Sequence, residues 1–318
     1  MRTSAIVSLA LVTIATAGAA DKPRLLIQRI GPSLATIHMA NADGSRQKQI
    51  LDTPALDYNA SLSPDTQWVV FTSERDGSAD LYRVRVDGTS LQRLTTDPAY
   101  EDQAAWSPDG TRIAFVSTSG SGTTAIWTLD IASKLARRVA TTRGSDFRPS
   151  WSPDGNWIAF SSDRETRIER KPPEWEHLHR TSIYLIRPDG TDLRRLTDGT
   201  RFAGSPRWSL DGKRIVFYEL DVLDTHEARE DDSQSRVISQ IVSIHVETRA
   251  RREHTSGAGL KVSPQFFDGD RVGYLVKAGP SPGITYTSGE SGRHGAVRNP
   301  SWSRDGPVRC VRLRPGRN

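Results

Sequence analysis

One short phrase keeps returning along the chain, and this repeat constrains the fold more than any other feature. Ala105-Trp106-Ser107-Pro108-Asp109-Gly110-Thr111-Arg112-Ile113-Ala114-Phe115 comes back as Ser150-Trp151-Ser152-Pro153-Asp154-Gly155-Asn156-Trp157-Ile158-Ala159-Phe160. Weaker copies begin at Ser61-Leu62-Ser63-Pro64-Asp65, running to Phe71, and at Arg207-Trp208-Ser209-Leu210-Asp211-Gly212, running to Phe217. Faded copies follow at Phe266-Phe267-Asp268-Gly269 and Ser301-Trp302-Ser303-Arg304-Asp305-Gly306. A period of roughly 40 to 60 residues marks a row of small like units, none of which can bury its apolar face without a neighbour.

Each unit spells four strands. Ser-Pro-Asp-Gly is turn chemistry, with Pro presetting φ and Gly supplying the left-handed residue that closes a hairpin. The residues around Trp106 and the run Ile113 to Phe115 then pair as antiparallel strands. A third strand follows at Leu81-Tyr82-Arg83-Val84, Ala125-Ile126-Trp127-Thr128-Leu129 or Ile183-Tyr184-Leu185-Ile186. Asp87-Gly88 and Asp189-Gly190 mark the next hairpin, and Leu91 to Thr95 or Leu193 to Thr197 supplies a fourth strand. Four antiparallel strands per unit, repeated, predict an all-β fold, a β-propeller. Leu25 to Ile27, Ala35 to Met39 and Gln49 to Leu51 match the later strands of a unit with no phrase ahead of them. The phrase at Trp302 supplies that missing first strand from the other terminus. Five internal units and one shared unit predict a six-bladed propeller of four-stranded antiparallel blades, closed by strands from both termini.

The remaining boundaries follow from composition. Arg2, the apolar run Ala5 to Ala15 and the small residues Ala17-Gly18-Ala19 read as an export signal over residues 1–20, with the propeller over 21–318. No later run has the ~20 apolar residues that a membrane helix needs, so no transmembrane segment is expected. The single cysteine, Cys310, excludes an intramolecular disulfide and a cysteine-based zinc site. The net charge of +5 is spread along the chain instead of gathered into a basic patch, which argues against nucleic acid as a partner. After Gly306 the phrase breaks down, with Arg309 where Ile113 stands in the clean copy, so the C-terminus is either a terminal strand or a truncation.

The phrase Trp-Ser-Pro-Asp-Gly-x-x-Ile-Ala-Phe, followed by Leu/Ile-Tyr, Asp-Gly and Leu-Thr, resembles the propeller repeats of the TolB-like family over most of residues 24 to 306. The resemblance implies a periplasmic or secreted propeller that binds other molecules around its central channel. The separate α/β domain that precedes the propeller of TolB itself is not expected here, because the repeat-like strands begin a few residues after the export signal, nor is the hydrolase domain that some larger relatives carry.

Candidate functional residues lie where the repeat stretches. Trp106 to Trp151 spans 45 positions but Trp151 to Trp208 spans 57, and the excess is Arg164 to Arg180. This insertion holds Glu174, Trp175, Glu176, His177 and His179. A second expansion, Glu219 to Ser235, holds Asp221 and His226. Both leave between the second and third strands of consecutive units, so both are expected on one rim, the usual place for binding on a rigid repeat scaffold. The two histidines with the glutamates, Asp221 and His226 carry the ligand types of a zinc-like site, but no second tight ligand pair accompanies them, and solvated loop charges are the favoured account. Gly279-Pro280-Ser281-Pro282-Gly283 mimics a lipase motif, yet Pro282 has no N–H for an oxyanion hole, so it is a loop. The recurring Trp106, Trp151, Trp208 and Trp302 are expected to pack between sheets. His38, His245, His254 and His294 stand isolated.

The expectation is a non-catalytic, monomeric exported scaffold for a protein, peptide or glycan partner, with no cofactor. The alternative is a metal-assisted polysaccharide lyase or hydrolase on the same fold.

Overall fold

The computed structural model describes residues 24–30, 35–41, 47–53, 55–120, 123–140, 144–166, 180–228, 236–279, 282–288 and 298–302, with the backbone alone at 24–30, 40–41, 226–227, 267–268, 298–299 and 301–302. The export signal read over residues 1–20 and the break after Gly306 lie outside them.

The strands follow the repeat. In chain order they are β1 (Arg24–Ile30), β2 (Ala35–Asn41), β3 (Lys48–Gln49), then β4 (Asp57–Leu62), β5 (Trp68–Ser73), β6 (Asp80–Arg85) and β7 (Gln92–Arg93). Next come β8 (Glu101–Trp106), β9 (Arg112–Ser117), β10 (Ala125–Asp130), β11 (Ala136–Arg138), β12 (Asp146–Trp151), β13 (Ile158–Ser162), β14 (Ser182–Ile186) and β15 (Arg194–Arg195). The last are β16 (Phe202–Trp208), β17 (Arg214–Leu220), the short helix α1 (Asp224–Glu227), β18 (Ser239–His245), β19 (Arg251–Glu253), β20 (Leu260–Asp268), β21 (Arg271–Ala278), β22 (Gly283–Tyr286) and β23 (Arg298–Trp302).

Every pairing between these strands is antiparallel, and they assort into five four-stranded sheets: β4 to β7, β8 to β11, β12 to β15, β16 to β19, and β23-β1-β2-β3. In the last of these Leu25 pairs with Trp302 and Leu26 with Ser301, strands from the two ends of the sequence. The expectation of six four-stranded blades therefore needs correction. A further sheet, β20-β21-β22, has three strands among the described residues, its register ending at Tyr286. The first strands β4, β8, β12, β16, β20 and β23 neighbour one another in turn and return from β23 to β4. This is a β-propeller, its first strands around a central channel.

The turn phrase works as a small hydrogen-bonded box. In the best copies Ser107 Oγ donates to Asp109 Oδ1 at 2.5 Å and accepts the Arg112 N–H at 2.9 Å, while Asp109 accepts the Thr111 N–H at 3.0 Å. Ser152 with Asp154 and Ser209 with Asp211 repeat this geometry, and so do Ser63 and Asp65. Gly110, Gly155 and Gly212 sit at φ of +71°, where a side chain is disfavoured. In the earliest copy Thr66 takes that place at φ of +57°.

The core lies in slices between neighbouring sheets. Ala105, Ala114, Val116 and Ile126 of one sheet pack against Trp151, Ile158 and Phe160 of the next, and four more such layers join the other neighbours. The phrase's closing residue anchors four of the layers: Phe71, Phe115, Phe160 and Phe217 are fully buried, where truncation to Ala costs about 3–5 kcal/mol. Trp106, Trp151 and Trp208 sit between sheets as expected, while of Trp302 the backbone alone is described. Each of the three also donates across the gap: Trp106 Nε1 to Ser61 O at 3.2 Å, Trp151 Nε1 to Ala105 O at 3.2 Å, and Trp208 Nε1 to Ser150 O at 3.1 Å. A buried indole N–H needs such a partner.

A second device recurs at the start of the first strands. Asp57 is clasped by Arg75 and Asp146 by Arg164, each at 2.8 Å, with both guanidinium groups stacked on a tyrosine, Tyr82 or Tyr184. In the sheet between them Glu101 occupies the carboxylate position, and Ser119 stands where the arginine would be.

Candidate functional site: the central channel

Five of the first strands, β4, β8, β12, β16 and β20, kink before they reach their tryptophan or the equivalent residue. The pairing slips between Tyr58 and Ser61, Asp102 and Ala105, Phe147 and Ser150, Gly204 and Arg207, and Val262 and Gln265. At every slip one non-glycine residue takes a left-handed conformation: Asn59 (φ +50°), Gln103 (+58°), Arg148 (+54°), Ser205 (+54°) and Ser263 (+52°). Such a bulge leaves a residue out of the ladder and re-aims its side chain, here into the channel. A non-glycine residue at positive φ is uncommon, so its recurrence at one position of five sheets is a property of the fold and not local strain.

These residues are tied from sheet to sheet. Asn59 Nδ2 donates to both oxygens of Asp102 at 2.7 Å, Arg148 Nη1 to Asn59 Oδ1 at 3.3 Å, and the Arg148 N–H to Gln103 Oε1 at 2.6 Å. Asp102 is buried and also accepts from Thr72 Oγ1 and the Tyr100 hydroxyl, each at 2.7 Å. Burial, then the Asp102 charge, raises the Tyr100 phenol well above its usual range, so it stays a donor. One step further along the channel Arg207 donates to Pro149 O at 3.2 Å. Burial and the nearby Arg148 cation push it down to about 10, which leaves it charged at neutral pH.

The channel has three parts. Its wide mouth holds about 460 Å³, walled by Phe147, Phe202, Tyr218, Val262 and Leu275 among hydroxyls and the charged Arg148, Asp163 and Lys277. A waist of about 30 Å³ follows, at the level of the left-handed residues. Beyond it a second mouth of about 150 Å³ lies among the turn phrases. A side cavity of about 150 Å³ runs from the wide mouth toward α1, past Phe202, Tyr218 and Lys277 to Thr225 and Ala228.

The wide mouth is the rim from which both expanded loops leave, because Ser161, Asp163 and Thr181 flank one loop and Tyr218 precedes the other. Of the residues singled out from sequence, Glu174, Trp175, Glu176, His177 and His179 lie outside the described residues. Asp221 is exposed and accepts the Leu223 N–H at 3.0 Å, helping to turn the chain into α1. His226 lies in α1, with its backbone alone described. Glu219, read as the start of the second loop, instead belongs to β17, where the strand runs on and the carboxylate accepts from Arg251 at 2.9 Å. The Gly279 to Gly283 stretch joins β21 to β22, with residues 280–281 outside the described ones. Among the described residues no three of His, Cys, Asp and Glu converge to hold a metal ion. His254 is a packing residue: its ring meets Phe266 edge-on, and burial, with the Arg252 and Arg214 charges, pushes it down to about 4.

Sequence reading missed the channel residues altogether. Their signal is positional, three places before each tryptophan or its equivalent. Arg207 has a signal of its own, since the place just before the tryptophan is Ser61, Ala105 and Ser150 in the other strong copies.

A family model described as the TolB beta propeller domain matches residues 2–121 and 103–169, together more than half of the chain. TolB from Acinetobacter baumannii shares the fold at a TM-score of 0.69 and 21% identity, over 88% of this chain and 66% of that one. Hydrazine synthase from Kuenenia stuttgartiensis does so at 0.65 and 14% identity, over 91% of this chain and 48% of that one. At such identities the likeness speaks for the fold alone. A dipeptidyl-peptidase 5 from Porphyromonas endodontalis is 44% identical over 46 residues, 14% of this chain and 7% of the peptidase. The chain thus spans less than two thirds of the length of these relatives. Among the described residues no helix is long and apolar enough to cross a membrane. The family match falls on the same turn phrases that build the sheets around the channel, and the chain belongs to the TolB-like β-propeller family.

Proposed function

We propose that this protein is an exported, non-catalytic scaffold of the cell envelope that holds a protein, peptide or glycan partner at the wide mouth of its channel. The observation that carries this reading is the coincidence of that half-apolar mouth of about 460 Å³ with the rim from which both expanded loops leave. Pockets of this size with apolar walls and a few convergent polar groups are the usual form of binding sites. The loop residues Glu174, Trp175, Glu176, His177 and His179, with Asp221 and His226, are the rim's contribution, Trp175 its apolar anchor. In this reading β20 to β22 form the sixth blade, and residues 1–20 are the cleaved export signal.

The test is comparative capture from an envelope extract. Wild-type protein and a variant with residues 167–179 replaced by a short Gly-Ser link are immobilised side by side, and bound molecules are identified by mass spectrometry. A partner retained by the first and lost by the second supports the reading. Equal retention, or none, overturns it. Export is checked by the N-terminal residue of the protein recovered from the envelope fraction, expected at Ala20 or Asp21.

A further inference from the structure

The waist of the channel carries a chemistry that a passive pore does not need. Arg148 lines both the wide mouth and the waist, and Arg207 lines both the waist and the narrow mouth, so the two cations bracket the constriction from opposite sides. Between them stand neutral groups, the side chains of Asn59, Gln103, Ser205, Ser263 and Gln265. No Asp or Glu lines the waist among the described residues. A carboxylate close by, Asp102, sits behind Asn59 with its oxygens engaged by Asn59, Thr72 and Tyr100.

Arg207 is the exceptional member. A guanidinium has five N–H donors. Among the described residues its single hydrogen bond is to Pro149 O at 3.2 Å, and no carboxylate lies within ion-pair distance. Every other strong copy of the repeat manages with Ser or Ala at this place, so the fold does not require an arginine there. A half-buried cation held beside a second cation is unfavourable unless an anion joins them.

We propose that the waist is a binding site for a carboxylate, received by the Arg207 guanidinium on the side facing Arg148 and borne by an apolar body that sits in the wide mouth. Size fixes the division. A void of about 30 Å³ admits a group of roughly two waters' bulk, taking ~10–15 Å³ for each. A carboxylate head fits that space and a sugar ring does not. A planar carboxylate also matches the guanidinium fork, and Phe147, Phe202, Val262 and Leu275 give the attached body an apolar wall. The carboxylate is that of a free small acid or of a peptide chain end; both present the same group. This inference does not depend on what the rim loops hold.

Isothermal titration of the whole protein with 3-phenylpropionate and with its neutral primary amide tests the proposal. The acid is expected to bind, and the amide about 10- to 100-fold more weakly, the value of hydrogen bonds to a charged group. Arg207→Gln should abolish the difference between them, and Arg207→Lys should keep part of it. The Gln variant should melt no lower than wild type, since an uncompensated cation has been removed. If that variant does not fold, the acid and amide comparison on the wild type still decides. A tripeptide ending in Phe, with a free or an amidated terminus, separates the two sources: discrimination by the tripeptide assigns a chain end, discrimination by phenylpropionate alone assigns a small acid, and either supports the site. Equal binding of acid and amide in both the phenylpropionate and the tripeptide pairs, no binding of any of them, or unchanged selectivity in Arg207→Gln overturns it. A negative result here leaves the capture experiment on the rim loops untouched.

Discussion

Glu101 offers the sharpest test of how this repeat distributes charge. Its counterparts Asp57 and Asp146 each keep an arginine eighteen positions downstream, whereas Glu101 faces the small Ser119. The groups around it are Asp80, which is fully buried and held by Arg93 at 2.7 Å, together with Asp97, Arg93 and the Thr95 hydroxyl. One oxygen of Glu101 is buried without a partner. Burial first, then the Asp80 and Asp97 charges, pushes the carboxyl from an ordinary 4.5 up to about 7. The folded state therefore holds a proton that the unfolded chain releases near 4.5, and stability falls as pH rises from there through 7. At ~1.4 kcal/mol per pH unit, the loss is about 3 kcal/mol by pH 8. Glu101→Gln removes the titration while keeping the shape. Urea unfolding of both proteins from pH 4.5 to 8 should show the variant gaining about 3 kcal/mol on the wild type across that window. A difference that stays constant with pH would refute the reasoning. Ser119→Arg is the constructive counterpart: it should restore the clasp seen in both neighbouring sheets and raise wild-type stability at pH 8 by about 1.5 kcal/mol or more.

Other expectations follow from the same geometry. Trp151→Phe removes the donor to Ala105 O as well as ring volume and should cost about 2–4 kcal/mol in chemical denaturation. Trp127→Phe should cost less, because the Trp127 N–H has no partner to lose. Thr66→Gly places the residue found in the clean copies at the left-handed position and should raise stability by about 0.5–1 kcal/mol. Elemental analysis of the mature protein beside a His177→Ala/His179→Ala variant tests the scaffold reading directly. Equal, negligible metal in both is expected, and stoichiometric metal lost in the variant would overturn a non-catalytic rim.

Architecture was legible because turn chemistry is local. The Ser, Pro, Asp and Gly of each phrase close their box within six residues, so their spacing alone declares the hairpin, and the buried Trp and Phe follow at fixed distances. The pairing of Leu25 with Trp302 was legible for the same reason, from an incomplete unit at one end and a lone phrase at the other. Strand limits were less so: Glu219 reads as loop by composition, yet its backbone pairs with Ala203 and Gln240 in the sheet, where Arg251 meets its carboxylate. The channel lining was not legible at all. Asn59, Gln103, Arg148, Ser205 and Ser263 share a conformation but no chemistry, so no residue type marks the position, and only the slipped pairing of the first strands sets them apart. Loop composition drew the eye instead to histidines and acids, which a polar surface supplies without convergence.

The hydrogen bonds from the tryptophans give the ring a direction in time. Each donor lies in the later sheet and each acceptor in the earlier one, from Trp106 to Ser61, Trp151 to Ala105 and Trp208 to Ser150. A nascent chain emerging N-terminus first has therefore always made the acceptor before the donor that needs it. Each tryptophan can dock as soon as it appears, so the array can grow vectorially during synthesis without leaving a buried N–H waiting. The sheet that joins β1 to β23 is the exception, since its first-made strands must wait for the last one.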